Sequence, residues 1–182
     1  MRGTAGHSRT FGAMKALPML RAKVALLLLG VAMVLGACLK TDEFPAEPII
    51  RFKEFTTTGD SAALTIFFTD GDGDIGLGQG DTLPPYDTMP YVFNLFVEYE
   101  ELQNGVWVPF TGFTFPFLHQ RVPVITPTGQ NKTLEGEITY RFTDWPTIPN
   151  TPWDTVRYTV KLVDRALHES NIVRTEEIIL PQ

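Results

Sequence analysis

The sequence predicts an all-β protein, an antiparallel β-sandwich of about eight short strands in a single domain. Three observations carry this prediction. Apolar and polar residues alternate with a period of two in several segments, as in strands with one buried face. Glycine and proline occur 15 and 14 times in 182 residues and separate these segments with turns. No segment of the main body shows a convincing helical period.

The first strands are predicted at residues 49–55 and 62–68. The first alternates between apolar and charged residues, whereas the second is nearly continuous in apolar residues, which is typical of a strand covered on both faces. After a long loop rich in Gly, Asp and Pro, a third strand is predicted at 91–102. Asn104-Gly105 then predicts a tight hairpin, because both residues tolerate positive φ.

The rest of the chain continues the same pattern. Further strands are predicted at residues 106–108, 110–115, 134–142, 155–164 and 172–180. Residues 120–125 resemble a strand but contain Pro123, which cannot donate to a sheet ladder, so we expect an edge or an irregular segment there. Alternation is clearest at 155–164, which we therefore expect to lie in a sheet with one face in the core.

The N-terminal 37 residues have the composition of an export signal. An apolar run at 24–36 follows Arg21 and Lys23 and closes on Leu35-Gly36-Ala37-Cys38. This ending resembles the lipobox of bacterial lipoproteins, which implies that Cys38 receives diacylglycerol and becomes the new N-terminus. A membrane-spanning helix needs about 20 apolar residues, which this run lacks. A buried thiol at Cys38 is the remaining alternative, and translation starts either at Met1 or at Met14.

These features divide the chain into a signal peptide at 1–37, a lipidated tether at 38–48 and one sandwich domain at 49–182. All five leader charges are basic, so the rest of the chain keeps 10 Lys and Arg residues against 21 Asp and Glu residues, a net charge of −11. Such a charge argues against nucleic-acid partners and against electrostatic docking on anionic lipid. With Cys38 lipidated, no cysteine remains for a disulfide.

A run of alternating aspartate and glycine follows the second predicted strand. Asp70, Asp72 and Asp74 place three hard oxygen ligands in a glycine-rich loop, where they can converge on Ca²⁺. Asp81 stands where an EF-hand loop has its last acid, but Ile75 stands where that loop needs glycine. We therefore predict a looser calcium site from these four aspartates. The alternative is a turn whose carboxylates bond their own backbone.

Two segments carry a family resemblance. Residues 67–77, with the Asp-Gly alternation, and 163–173, with an aspartate after the penultimate strand, resemble uncharacterised outer-membrane lipoproteins of Bacteroidota. The late segment also resembles the last hairpin of immunoglobulin-like domains. The resemblance implies an immunoglobulin-like sandwich on the outer membrane, but no activity. Residues 40–43 resemble the surface-export signal of such lipoproteins, and an ordinary linker is the alternative, so the periplasmic and cell-surface sides both stay open.

Candidate sites for ligands are few. Trp145 and Trp153 lie near prolines in one loop and are candidates for stacking on a sugar, although aromatic residues also plug the ends of sandwiches. His119 and His168 lie in unrelated segments without a recognisable catalytic arrangement. We therefore predict a non-enzymatic binding or structural protein of the envelope, with a glycan or an envelope protein as partner. A glycan-binding accessory lipoprotein of a polysaccharide-uptake system is the alternative.

Short Asp-Ser/Thr-apolar tripeptides occur four times, at residues 60–62, 81–83, 87–89 and 154–156. They resemble the O-glycosylation sequon of Bacteroidota, although turns also favour Asp-Thr. Thr82 and Thr88, in the long loop, are the candidate glycosylation sites.

Overall fold

The structure, a computed structural model, describes Gly3 and residues 44–113, 118–148 and 150–181. The chain divides into two units, Met1–Asp42 and Glu43–Gln182, and the fold below is that of the second. The predicted signal peptide, including Cys38, and the tether up to residue 43 lie outside the described residues. Every regular element in the described part is a β-strand, which confirms the all-β prediction.

Eight strands make up the domain. They are β1 (Ile49–Thr58), β2 (Ser61–Asp70), β3 (Leu95–Gln103), β4 (Val106–Pro109), β5 (Leu134–Phe142), β6 (Thr155–Leu162), β7 (Val173–Arg174) and β8 (Ile178–Ile179). β5 has the predicted bounds, and Asn104 and Gly105 form the predicted hairpin turn with φ of 53° and 82°.

The strands form two antiparallel sheets that pack into a sandwich. The first sheet has the order β1-β2-β5, and the second the order β4-β3-β6-β7, with β8 also pairing with β6. Strand β5 does not pair with β4, which precedes it in the chain and lies in the second sheet; it pairs with β2 in the first sheet. The connection from β4 to β5 therefore crosses between the sheets, as in the Greek-key connections of immunoglobulin-like sandwiches. The antiparallel sandwich is therefore confirmed.

A bulge in β1 explains the spacing of its apolar residues. Phe52 and Phe55 are three residues apart, a spacing that a regular strand would place on opposite faces. The pairing of β1 with β2 shifts register between Phe52 and Glu54. The extra residue returns Phe55 to the inner face, where its ring lies 5.1 Å from Trp145 and 5.6 Å from Tyr158.

The core lies between the sheets and follows the alternation in the sequence. Inward residues of β2, β3 and β6 are at most 5% exposed, and aromatic rings close the end of the sandwich where β6 begins. The core comprises Ile50, Ala62, Leu64, Ile66, Phe68, Ile75, Leu95, Val97, Tyr99, Leu118, Val122, Tyr140, Phe142, Trp145, Val156, Tyr158, Val160, Leu162 and Leu180.

Some predicted strands are shorter or irregular. Residues 91–94 precede β3 as a loop, residues 110–113 are not a strand, and of 120–125 only Gln120 makes a bridge, to Leu95. The side chain of buried Asn94 replaces sheet pairing there: its Oδ1 accepts the N–H of Val122 at 2.7 Å. The last predicted strand is split into β7 and β8 by residues 175–177.

Four segments meet at one end of the sandwich. Strand registers place the start of β1, the end of β2 and the start of β5 at this end of the first sheet, and the start of β3 and the end of β6 at this end of the second. Segments 44–48, 71–94, 118–133 and 163–172 therefore gather here, and we call this end the aspartate end. Residues 44–48, predicted as free tether, contact the domain: the carbonyl of Pro45 accepts the N–H of Gly71 at 2.8 Å.

Candidate metal centre

Strand β2 carries Asp70 into the protein interior. Ala62, Leu64, Ile66 and Phe68 occupy its inward positions, and Asp70 takes the next one, with 0% of its surface exposed. A carboxylate in a position that alternation assigns to the core is costly unless it is paired or binds a cation. The sequence pattern that buries this strand therefore also buries the first aspartate of the loop.

The loop after Asp70 depends on its glycines. A Cβ on Gly71 would lie 2.2 Å from the carbonyl oxygen of Phe44, and one on Gly73, which has a φ of +68°, would lie 1.7 Å from that of Lys132. No side chain fits at either position. The alternation of Asp and Gly thus places every second residue against neighbouring backbone and leaves the aspartates on the remaining side.

Four carboxylates converge at this loop. Asp70, Asp72, Asp74 and Asp164 each offer an oxygen, and these atoms all lie within 4.8 Å of one another. Asp70 and Asp164 are buried, Asp74 is half-buried and Asp72 is exposed. The described part of the chain thus brings together an all-oxygen set that could hold a metal ion, with the exposed Asp72 on its solvent side.

Two oxygens of this cluster lack the partners that burial demands. Oδ2 of Asp70 accepts the N–H of Asp74 at 2.9 Å, and Oδ2 of Asp74 accepts the N–H of Ala166 at 3.0 Å. The Oδ1 atoms of both residues are buried without a hydrogen-bond partner among the described residues. Such oxygens are rare in folded proteins, and a cation among them would satisfy both.

The electrostatics of the cluster agree with this description. Burial, followed by the charges of Asp72 and Asp74, raises the pKa of Asp70 from 3.8 to about 7. Burial and the neighbouring Asp164 also raise the pKa of Asp74. The neighbouring carboxylates therefore make Asp70 and Asp74 harder to ionise, and a divalent cation would reverse that effect.

Asp164 is the member of the cluster that the sequence did not reveal as a ligand. It follows the end of β6, at the same end of the sandwich as Asp70. Its two oxygens accept the backbone N–H of His168 and contact Nδ1 of the same residue, each at 2.8 Å. His168 thus holds the carboxylate in place, and this contact raises the pKa of the histidine. A topological signal existed, because Asp70 ends β2 and Asp164 follows β6, and these two buried strands finish at the same end of the sandwich in facing sheets.

The structure does not bring Asp81, the fourth predicted metal ligand, together with the other three aspartates. Its carboxylate lies outside the cluster of four: it pairs with the guanidinium of Arg165, with Nη2 at 2.9 Å from Oδ1, and accepts the N–H of Gly78. Arg121 donates to the carbonyls of Gly78 and Asp81, at 2.8 and 2.7 Å. These contacts lower the pKa of Asp81 to about 2 and use the carboxylate to fix the long loop.

The predicted pair of sugar-stacking tryptophans is separated. Trp145 is 7% exposed and packs its ring against Phe55, Phe142 and Tyr158, so it closes the core. Trp153 is half-buried, and its N–H contacts the hydroxyl of Thr151. The prediction that both rings stand free to stack on a ligand is therefore wrong, because the first is needed to cover the aromatic core.

The predicted modification sites are placed as follows. Thr82 and Thr88 are exposed in the long loop, and their glycosylation stays a prediction. Cys38 lies outside the described residues, so its lipidation also stays a prediction. Within the described part of the chain, no helix is long and apolar enough to span a membrane.

Fold and site together define a class: an all-β antiparallel sandwich with an acidic cluster at one end that could hold a metal ion. Comparison with known proteins adds no relative to this description, since no family model, no curated protein and no solved structure matches the chain.

Proposed function

We propose that this chain is a lipid-anchored protein of the bacterial outer membrane whose β-sandwich binds Ca²⁺ and has a non-enzymatic binding or structural role. One observation carries the calcium part of the proposal: the buried, unpaired Oδ1 of Asp70 lies in a cluster with three more carboxylates. The lipobox at Cys38 supports the anchor, and the net charge of −11 after the leader supports an exported body rather than a nucleic-acid binder.

Calcium fits the cluster better than other common cations. It takes six to eight oxygen ligands in flexible geometry, whereas Mg²⁺ demands a near-ideal octahedron and keeps several waters. The cluster offers carboxylates only, without the imidazole or thiolate that zinc favours. Outside the cytoplasm a weak site, with a Kd of about 10⁻⁴–10⁻³ M, would still fill.

Thermal unfolding tests the proposal. A ligand that binds only the folded state, present at 100 times its Kd, stabilises that state by about 2.7 kcal/mol. We therefore expect the Tm to rise with millimolar Ca²⁺ and to return to its starting value with chelator. Asp72→Ala, which removes an exposed ligand at little cost to packing, should abolish the rise.

Asp154→Ala provides the matched control. Asp154 is also exposed, but it precedes β6 at the opposite end of the sandwich, and among the contacts described its carboxylate accepts only the hydroxyl of Thr155. Its variant should keep the calcium-dependent rise. If the Tm changes with neither calcium nor chelator, and calorimetric titration with calcium gives no heat, the cluster is a hydrogen-bonded turn and not a calcium site.

The glycan-binding alternative has one observation in its favour. A cleft of about 450 Å³ lies beside β5, lined by Tyr140 and Phe142 together with the polar side chains of Gln120, Arg141 and Asp144. Its volume falls in the range of small-ligand sites, about 300–1,000 Å³. Soluble oligosaccharides that leave the Tm and the tyrosine fluorescence unchanged would count against this alternative.

A further inference from the structure

Exposed apolar side chains gather at the aspartate end. Among the described residues, eight large apolar side chains are exposed, and six of them lie at this end. They are Ile49 (43% exposed), Leu83 (73%), Met89 (52%), Val124 (48%), Ile125 (39%) and Ile172 (56%). The other two, Val106 and Ile179, lie at the opposite end. Surface apolar residues scattered singly are normal, but a concentration at one end marks an interaction surface.

The loops that carry these side chains are fixed to one another. The long loop with Leu83 is held by Arg121 and Arg165, whose guanidinium groups contact the backbone and carboxylate of Asp81. The segment with Val124 and Ile125 is held on the aspartate loop, residues 70–77. There the N–H of Ile125 donates to the carbonyl of Ile75 at 3.3 Å. The apolar side chains are therefore displayed by hydrogen-bonded loops, which keep them out of the core.

The chain enters the domain at this same end. The carbonyls of Phe44 and Pro45 lie against Gly71, in the aspartate loop. Only six peptide units separate Phe44 from Cys38. At 3.3–3.6 Å per residue they reach at most about 20 Å. If Cys38 carries the lipid, as the proposed function requires, the aspartate end cannot move further than this from the bilayer.

The length of the sandwich separates its two ends. Strand β2 has ten residues and spans about 33 Å, so the end with Val106 and Ile179 lies farther from the anchor than the tether can reach. The aspartate end is also the end with the acidic cluster, which makes attraction to anionic lipid a poor explanation for a membrane contact. Burial of apolar side chains in the interface region of the bilayer needs no such attraction.

We propose that the aspartate end rests on the lipid bilayer, with Leu83, Met89, Val124 and Ile125 in the interface region as a second attachment beside the acyl chains. The partner is the bilayer surface itself and not a protein. The inference rests on the proposed lipid anchor, and it gives the domain a fixed orientation, with the β3–β4 hairpin pointing away from the membrane.

Site-specific fluorescence on the lipidated protein tests this orientation. Cys38 is the only cysteine, and in the lipidated protein its sulfur is blocked by the diacylglycerol, so Leu83→Cys, Met89→Cys and Val106→Cys each introduce a single free thiol. Each variant is labelled with an environment-sensitive dye and reconstituted into phosphatidylcholine vesicles. Nitroxide-bearing lipid then serves as the quencher. The label at position 106, at the opposite end of the sandwich, is the matched control for exposure.

We expect blue-shifted emission and strong quenching for the labels at 83 and 89, and aqueous emission without quenching for the label at 106. If the protein floats with the vesicles while all three labels behave alike, the orientation is wrong and the anchor stands. If the lipidated protein does not float with the vesicles, the anchor is wrong and this inference with it. An O-glycan on Thr82 of the mature protein would also overturn the inference, because it would keep Leu83 in water.

Discussion

At the scale of single residues, the decisive feature is a carboxyl group in a core position. Asp70 occupies the inward face of β2 and its pKa is raised to about 7. In the absence of a cation, the folded chain binds a proton at this site more tightly than the unfolded chain does. A proton and the proposed cation would therefore compete for the same oxygens, and the cluster would bind the cation more tightly where Asp70 is ionised.

This competition predicts how the calcium-free protein responds to pH. Because the pKa of Asp70 is higher in the folded state, stability is fully present below the ordinary pKa of 3.8 and falls as pH rises towards about 7. The contribution amounts to at most about 4 kcal/mol, from 1.36 kcal/mol per pKa unit. Urea unfolding in calcium-free buffer, at pH 4.5 and pH 7, measures the loss.

Asp70→Asn is the control for this pH effect, since the amide has the same shape and does not titrate. The variant should lose less stability than the natural chain between the two pH values. Equal losses in the two proteins would mean that Asp70 ionises normally in the folded state.

At the scale of elements, the long loop before β3 is held by the salt bridge between Asp81 and Arg165, and the carboxylates that could hold a metal ion lie outside this bridge. We predict that Asp81→Asn lowers the Tm and increases hydrogen exchange in residues 78–90, because Arg165 and the N–H of Gly78 lose their charged acceptor. The calcium-dependent rise in Tm should be unchanged. A lost rise would instead return Asp81 to the ligand set.

Acid should have a related effect on the same loop. The pKa of Asp81 is depressed to about 2, so its contribution to stability is present above the ordinary pKa of 3.8 and disappears as pH falls through about 2. The contribution of Asp81 to stability is lost as pH falls, whereas that of Asp70 is lost as pH rises. One pH series therefore distinguishes the two contributions.

Elements with a regular backbone were the predictable ones. The alternation at residues 134–142 gave both ends of β5, since each of its residues either faces the core or faces solvent. Residues 120–125 were ambiguous because their backbone is satisfied by Asn94 and by the aspartate loop, which no local pattern reveals. In the candidate metal centre, Asp70, Asp72 and Asp74 are close in sequence and were predictable. Asp164 joins them only because the two sheets pack face to face, which requires the topology.

At the scale of the whole molecule, the proposed attachment to the membrane depends on Cys38. We predict that Cys38→Ser abolishes lipid labelling and leaves a soluble or uncleaved product. A single acyl chain binds membranes only marginally, so stable attachment needs the full lipid modification. Fractionation after a high-salt wash measures the effect, and a variant that still partitions with membranes would contradict the lipobox interpretation.

The side chain of Asn171 makes the kind of paired hydrogen bonds with the backbone of β1 that a neighbouring strand would make. Its Oδ1 accepts the N–H of Ile50 and its Nδ2 donates to the carbonyl of the same residue, both at 2.9 Å. This pair joins the start of β1 to the segment just before β7, and both strands run away from the aspartate end. The chain therefore enters at one end and leaves at the other. A force applied between a membrane anchor and the C-terminus would pull along the strands, so that many hydrogen bonds share the load instead of opening one after another. With the proposed lipid anchor at Cys38, such a force would load the domain in shear along its strands.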